Sequence, residues 1–251
     1  MIQREDSGSI AVLRMAHGKV SALDVEFCDS LVASINDIAR SPAHALVVTG
    51  TGSTFSAGVD LFRLLKEGSA YLQRFLPALE RYFLALLNFP KPAVAAVNGH
   101  AIAGGCIAAA ACDHRVMAAG QARIGVAELA VGVPFPILAF EIVSARVERT
   151  RFRDLVYTGR VVEPAEALAV GFVDEVVQPE RLMAHAQEVA ERLASIPAKT
   201  FELTKRTFNA PIMARIQASI DLNAAVVTAW ESPVVQARVR QYLEKTIGQK
   251  R

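Results

Sequence analysis

The chain has 251 residues, 52% of them hydrophobic and 21% charged, which excludes the disordered and fibrous classes and allows a full hydrophobic core. Its 27 basic and 25 acidic residues are interspersed and leave a formal net charge of +2, so no extended field draws nucleic acid or a membrane surface. The three cysteines, Cys28, Cys106 and Cys112, make no pair of CxxC motifs, which argues against a disulfide framework or a zinc site and fits a reducing compartment. Met1 to Ser9 carries charges and no apolar run of the signal-peptide kind, so a cytoplasmic location is expected.

Ile10 to Met15 is the first predicted strand. Beyond Lys19, Ser21 and Asp24 stand at capping-box spacing, and Val25, Leu31, Ile35 and Ile38 predict a helix that runs to about Arg40, ahead of Ser41-Pro42. Ala45 to Thr49 predicts the next strand. A helix then starts after Asp60 with Leu61, Leu64 and Leu65 apolar, and another covers about Leu79 to Leu87 before the breaker Pro90-Lys91-Pro92.

Ala93 to Cys112 contains no Asp, Glu, Lys or Arg and is long enough to span a bilayer. Its apolar character is mostly alanine, and Asn98-Gly99 is a turn signal inside it, so a buried strand, a turn and a buried helix are expected instead, Ala93 to Val97 being the strand. Arg115 to Ala118 is a further strand. Alternation of short apolar runs with amphipathic stretches over residues 1–180 predicts an α/β core. From Arg181 the strand signals stop, and residues 181–251 read as helices punctuated at Ile196-Pro197, Ala210-Pro211 and Ser232-Pro233. This tail packs either on its own core or on a neighbouring subunit.

Two glycine-containing loops follow predicted strands: Thr49 to Leu61 (TGTGSTFSAGVDL) and Asn98 to Ile107 (NGHAIAGGCI). Loops that turn into helices bare N–H groups at the positive end of the helix dipole, where developing negative charge is stabilised; glycines that only permit tight turns are the other reading. Neither loop has the GK[ST] of a phosphate cradle or a GxGxxG, Ser56 has no GxSxG context, and the five histidines, His100 among them, show no HExxH spacing. No metal is therefore expected. Glu128 lies in IGVAELAVGVPFP among apolar and small residues, where burial would raise its pKa and make it a usable base; a surface glutamate at a helix start is the alternative.

FSAGVDL at Phe55 to Leu61, KPAVAAVNGHAIAGGC at Lys91 to Cys106, CDHRVMA at Cys112 to Ala118, IGVAELAVGVPF at Ile124 to Phe135 and TGRVVEPAEALAVGFVDEVV at Thr158 to Val177 resemble, in order, the motifs of the enoyl-CoA hydratase/isomerase (crotonase) superfamily. The resemblance implies a spiral of ββα units over residues 1–180 and a helical region that builds trimers or dimers of trimers. It also implies an acyl-CoA thioester as substrate, with coenzyme A part of that substrate and no separate cofactor. By the match, oxyanion amides belong to Val59 and Gly104 and the acid–base residue is Glu128. Ser56, Ala57, Asp60 and Leu61 would lie along the CoA, and Tyr242 and Lys245 of QYLEK would reach the CoA bound by a neighbour.

Hydratases of the superfamily use two glutamates, and Ile107 stands at the first of those positions. An aliphatic side chain neither orients water nor takes its proton, which forfeits about 10²–10⁴ in rate. The remaining pattern resembles the single-glutamate Δ3,Δ2-enoyl-CoA isomerases. A hydratase-like enzyme recruiting Glu141 or Asp60, and a noncatalytic acyl-CoA or RNA-binding protein on the same scaffold, are the rival readings.

Overall fold

The structure, a computed structural model, describes residues 1–248. Its strands are β1 (Ile2–Ser7), β2 (Ile10–Met15), β3 (Ala45–Thr49), β4 (Thr54–Ser56), β5 (Ala93–Val97), β6 (His100–Ile102), β7 (His114–Ala118), β8 (Ile124–Gly125) and β9 (Glu175–Val177). Its helices are α1 (Val25–Arg40), α2 (Leu61–Leu87), α3 (Gly104–Ala111), α4 (Glu128–Val131), α5 (Ile137–Ser144), α6 (Arg149–Thr158), α7 (Pro164–Val170), α8 (Leu182–Ala194), α9 (Ala198–Ala218), α10 (Ile220–Glu231) and α11 (Pro233–Gly248).

The fold is a mixed α/β arrangement with two sheets. The larger has the order β1-β2-β3-β5-β7-β9 and is parallel except for the β1-β2 hairpin, and the smaller is the parallel set β4-β6-β8. Side chains alternate across a strand, and here both faces are covered, which is why β2, β3 and β5 read as almost unbroken apolar runs. Leu13, Leu46, Val48, Ala95 and Met117 face α1, α2 and α3. Val12, Val47, Val94 and Val116 face Leu182, Ala186, Val189 and Ala190 of α8. The first helix of the C-terminal region thus supplies the layer behind the sheet.

The four predicted strands are present, with β7 one residue longer; β1, β9 and the short strands of the second sheet carry too little apolar pattern to be read. Several helix expectations need correction. Asp24, not Ser21, caps α1, its carboxylate accepting from the Phe27 amide at 2.7 Å; Ser21 sits in the preceding turn at φ +46°. The two helices expected between Asp60 and Leu87 meet at a break in α2, where Gly68 has φ +69°, so the second begins well before Leu79. Pro211 does not end a helix but lies inside α9, where burial of Ile212 and a 2.7 Å hydrogen bond from Asn209 to the Leu87 carbonyl offset the lost backbone bond.

Ala93 to Cys112 forms β5, β6 and α3, and all eight residues of α3 are buried. Among the described residues no helix is long and apolar enough to cross a membrane. The three cysteines are free and buried. α10 and α11 fold back onto α2, and α11 also packs on α4. These two helices therefore lie on the core of their own chain.

Candidate active site

The small sheet sets the site because each of its strands delivers one functional segment. β4 ends at Ser56, whose hydroxyl donates to the Ser21 carbonyl at 2.7 Å and accepts from the Gly58 amide at 3.2 Å. The backbone of Leu23 then brackets Val59: Leu23 N–H donates to the Gly58 carbonyl at 2.7 Å, and Asp60 N–H donates to the Leu23 carbonyl at 3.0 Å. Among the described residues the Val59 amide between them has no protein acceptor. Asp60 caps α2 by accepting from the Arg63 amide at 3.0 Å.

β6 leads into α3 through Ala103, whose amide donates to the Gly125 carbonyl of β8 at 2.8 Å. Gly104 opens α3, and its amide is one of the donors that a helix start leaves without an internal partner; the Ile107 amide, donating to the Ala103 carbonyl, makes the first such bond. Ala103 holds φ +49° and ψ −117°, a conformation L residues avoid, and so stores about 1–3 kcal/mol of strain at the turn that aims Gly104. Replacing it by glycine relieves that strain. We expect Ala103→Gly to raise stability in urea unfolding by about 1 kcal/mol, after the entropy that glycine adds to the unfolded chain.

The two loops lie against each other. A Cβ on Gly58 would stand 2.6 Å from the Ile102 carbonyl oxygen and 3.0 Å from the Gly104 nitrogen, and one on Gly105 would stand 2.2 Å from the Ser56 carbonyl oxygen. Absence of side chains at these positions is therefore what allows the segments carrying Val59 and Gly104 to approach.

β8 leads to α4, whose first residue is Glu128. Val59, Gly104, Ile107 and Glu128 line a single cavity of about 110 Å³. Glu128 is 6% exposed, and burial pushes its carboxyl up to about 7, a rise its own backbone N–H only partly opposes. Its Oε2 has no hydrogen-bond partner among the described residues. The bare carboxylate oxygen is thus available to a substrate proton. Glu128 is the only Asp or Glu lining this cavity among the described residues. Ile107 is buried, Asp60 is spent on its helix cap, and Glu141 pairs with Arg215 outside the cavity.

Of the other expected ligand contacts, Ala57, Leu61 and Tyr242 line the cavity. Ser56 is fully buried with its hydroxyl engaged, and Asp60 and Lys245 lie outside the lining, the latter exposed. Tyr242 was expected at a neighbour's CoA; because α11 folds back, it faces the cavity of its own chain. Burial raises the Cys106 thiol far above its usual range, which leaves it inert as a nucleophile, and exposed His100 accepts from the Arg123 amide at 3.1 Å. Leu79 and Phe83 lie in the stretch Phe62 to Phe83, from which the sequence suggests pocket walls without singling out residues; Trp230 was not expected in the lining. Trp230, whose indole N–H donates to the Pro134 carbonyl at 3.0 Å, offered one signal: it is the only tryptophan in the chain.

Residues 5–249 match the enoyl-CoA hydratase/isomerase family. The chain belongs to this family. A mitochondrial enoyl-CoA delta isomerase 1 from Rattus norvegicus is 31% identical over 209 residues, covering 82% of this chain and 72% of that protein. A short-chain-enoyl-CoA hydratase from Clostridium acetobutylicum is 30% identical over 208 residues, covering 82% and 79%. The crystal structure of human mitochondrial delta3-delta2-enoyl-CoA isomerase superposes with a TM-score of 0.94 at 26% identity, covering 100% of this chain and 99% of that one. The protein is an enoyl-CoA hydratase/isomerase family enzyme of acyl-CoA metabolism, and relatives under both names share its sequence. Choice between the two reactions rests on the chemistry of the cavity.

Proposed function

We propose that the enzyme shifts a 3-enoyl-CoA double bond to the 2-position, with Glu128 as the single acid–base residue and the Val59 and Gly104 amides as the oxyanion hole. The observation that carries this reading is the lone carboxyl in an otherwise apolar cavity, with Ile107 rather than a second acid in the lining. Hydration has to activate a water and protonate carbon, a task the family divides between two carboxylates. Isomerisation moves one proton along one face of the substrate and needs one.

In this mechanism the Glu128 carboxylate takes a proton from C2, and the electron pair left behind spreads through the C3–C4 double bond and onto the thioester oxygen. Two backbone N–H donors at that oxygen oppose the developing charge; each such donor is worth about 2.7–4 kcal/mol. The protonated Glu128 then gives the proton to C4, leaving the double bond between C2 and C3. Apolar walls keep water from quenching the dienolate elsewhere.

A carboxyl that titrates near 7 also predicts the pH profile. The base is the ionised form, so kcat/KM for 3-enoyl-CoA is expected to be level above about pH 7 and to fall tenfold per unit below it. Purified enzyme given 3-enoyl-CoA and 2-enoyl-CoA in parallel should convert the first and leave the second unhydrated. Rapid hydration of 2-enoyl-CoA without isomerisation would favour the hydratase reading.

Assembly into trimers or dimers of trimers belongs to the same proposal, as the family resemblance implies. A cytoplasmic setting is supported by the three free thiols.

A further inference from the structure

The cavity that holds Glu128 ends against Leu79 and Phe83 of α2 and Pro136 and Ala139 at α5. These four residues also line a second void, together with Leu76 and Glu80 of α2, Leu138 of α5 and Asn223, Val226 and Val227 of α10. The two spaces are thus divided by residues that line both. Glu80 and Asn223 both line this second void, and the Asn223 side-chain amide donates to Glu80 at 3.4 Å, which gives an otherwise apolar lining one polar contact.

The two spaces differ greatly in size. An apolar cavity of about 150 Å³ takes benzene, with its six carbons, so the front space of about 110 Å³ holds roughly four. The rear void, about 10 Å³, is at the lower limit for one water molecule and takes no extended chain while the partition stands.

We propose that this site selects short acyl chains, about four to six carbons from the thioester carbonyl, and that Leu79 sets the cut-off by standing between the two spaces. This rests on the cavity being the acyl site, as in the mechanism above, but not on which reaction follows. Removing the Leu79 side chain joins the voids into one channel that reaches the Glu80–Asn223 contact. Adding bulk at Ala139 shortens the front space.

Calorimetric titration with saturated butyryl-, hexanoyl-, octanoyl- and decanoyl-CoA tests this without turnover. Each buried methylene adds about fourfold to affinity, so the wild type should gain from butyryl to hexanoyl and then level or fall. Leu79→Ala should extend the gain by two to three carbons and improve decanoyl-CoA binding by about 15- to 60-fold. Ala139→Val should weaken hexanoyl-CoA several-fold and leave butyryl-CoA nearly unchanged, and it stands in if the alanine variant fails to fold. Wild-type affinity that keeps climbing through decanoyl-CoA, or an unshifted profile in both variants, would overturn the proposal. A cut-off at six carbons in an enzyme that does not isomerise 3-hexenoyl-CoA would remove the isomerase reading and leave this one standing; isomerisation with no cut-off would do the reverse.

Discussion

Glu128→Gln is expected to lower kcat/KM for 3-enoyl-CoA by roughly 10³–10⁴, the upper part of the range for an acid–base residue, because one side chain carries both proton transfers. Saturated acyl-CoA should still bind within a few-fold of wild type, since glutamine keeps the shape of the cavity. The same substitution should stabilise the folded protein above neutrality. Glu128 is raised from 4.5 to about 7, so between these values the folded state holds a proton that the unfolded state has released, and stability is lost as pH rises. The full penalty at pH 8 is on the order of 3 kcal/mol, from which the buried glutamine amide takes back part if it too lacks a partner. A net gain of about 1–2 kcal/mol at pH 8, a few degrees in Tm, should shrink on acidification, reach zero at about pH 5–6, where the remaining ionisation penalty equals the cost of the amide, and reverse sign below that. Full activity in the glutamine enzyme would remove Glu128 from the mechanism, and a Tm difference that grows on acidification would contradict its buried, charged state at pH 8.

Gly58→Ala carries the second large effect. The position has φ +78°, and the new methyl would meet the Ile102 carbonyl at 2.6 Å and the Gly104 nitrogen at 3.0 Å, all backbone contacts that no side-chain rotation relieves. The loops must part, which moves the Val59 and Gly104 amides away from a common point. Loss of one oxyanion donor costs about 10²–10³ in kcat, and misplacing both should reach the upper end of that range or beyond. Stability should fall as well, so the measurement is kcat at a temperature where circular dichroism shows the variant folded. A folded Gly58→Ala enzyme with wild-type kcat would mean that the two amides do not act together.

Much of this site is legible in the amino-acid sequence. Glu128 stands out as a carboxyl in an apolar run, the two loops follow strands, and Ile107 at a hydratase glutamate position points away from water chemistry. The third is what the resemblance to the family implies; the first two are local properties, decided by residue type, spacing and neighbours along the chain. The principal strands are legible for the same reason, since a parallel sheet covered on both faces writes its burial into continuous apolar runs.

Other features depend on contacts between distant segments. Ser56 sits in the loop beside Val59, yet its hydroxyl is taken by Ser21, a residue 35 positions away. Leu79, Phe83 and Trp230 are ordinary core residues by sequence, and only the packing of α2, α5 and the folded-back tail makes them walls of the cavity. The raised Glu128 pKa likewise requires the enclosure of its carboxyl by residues from several elements. Sequence by itself determined which groups are available for chemistry, because bonding capacity and acidity belong to the residue. Tertiary structure decided which of them meet and which lose water, because distance and desolvation arise only when segments far apart in the chain are packed together.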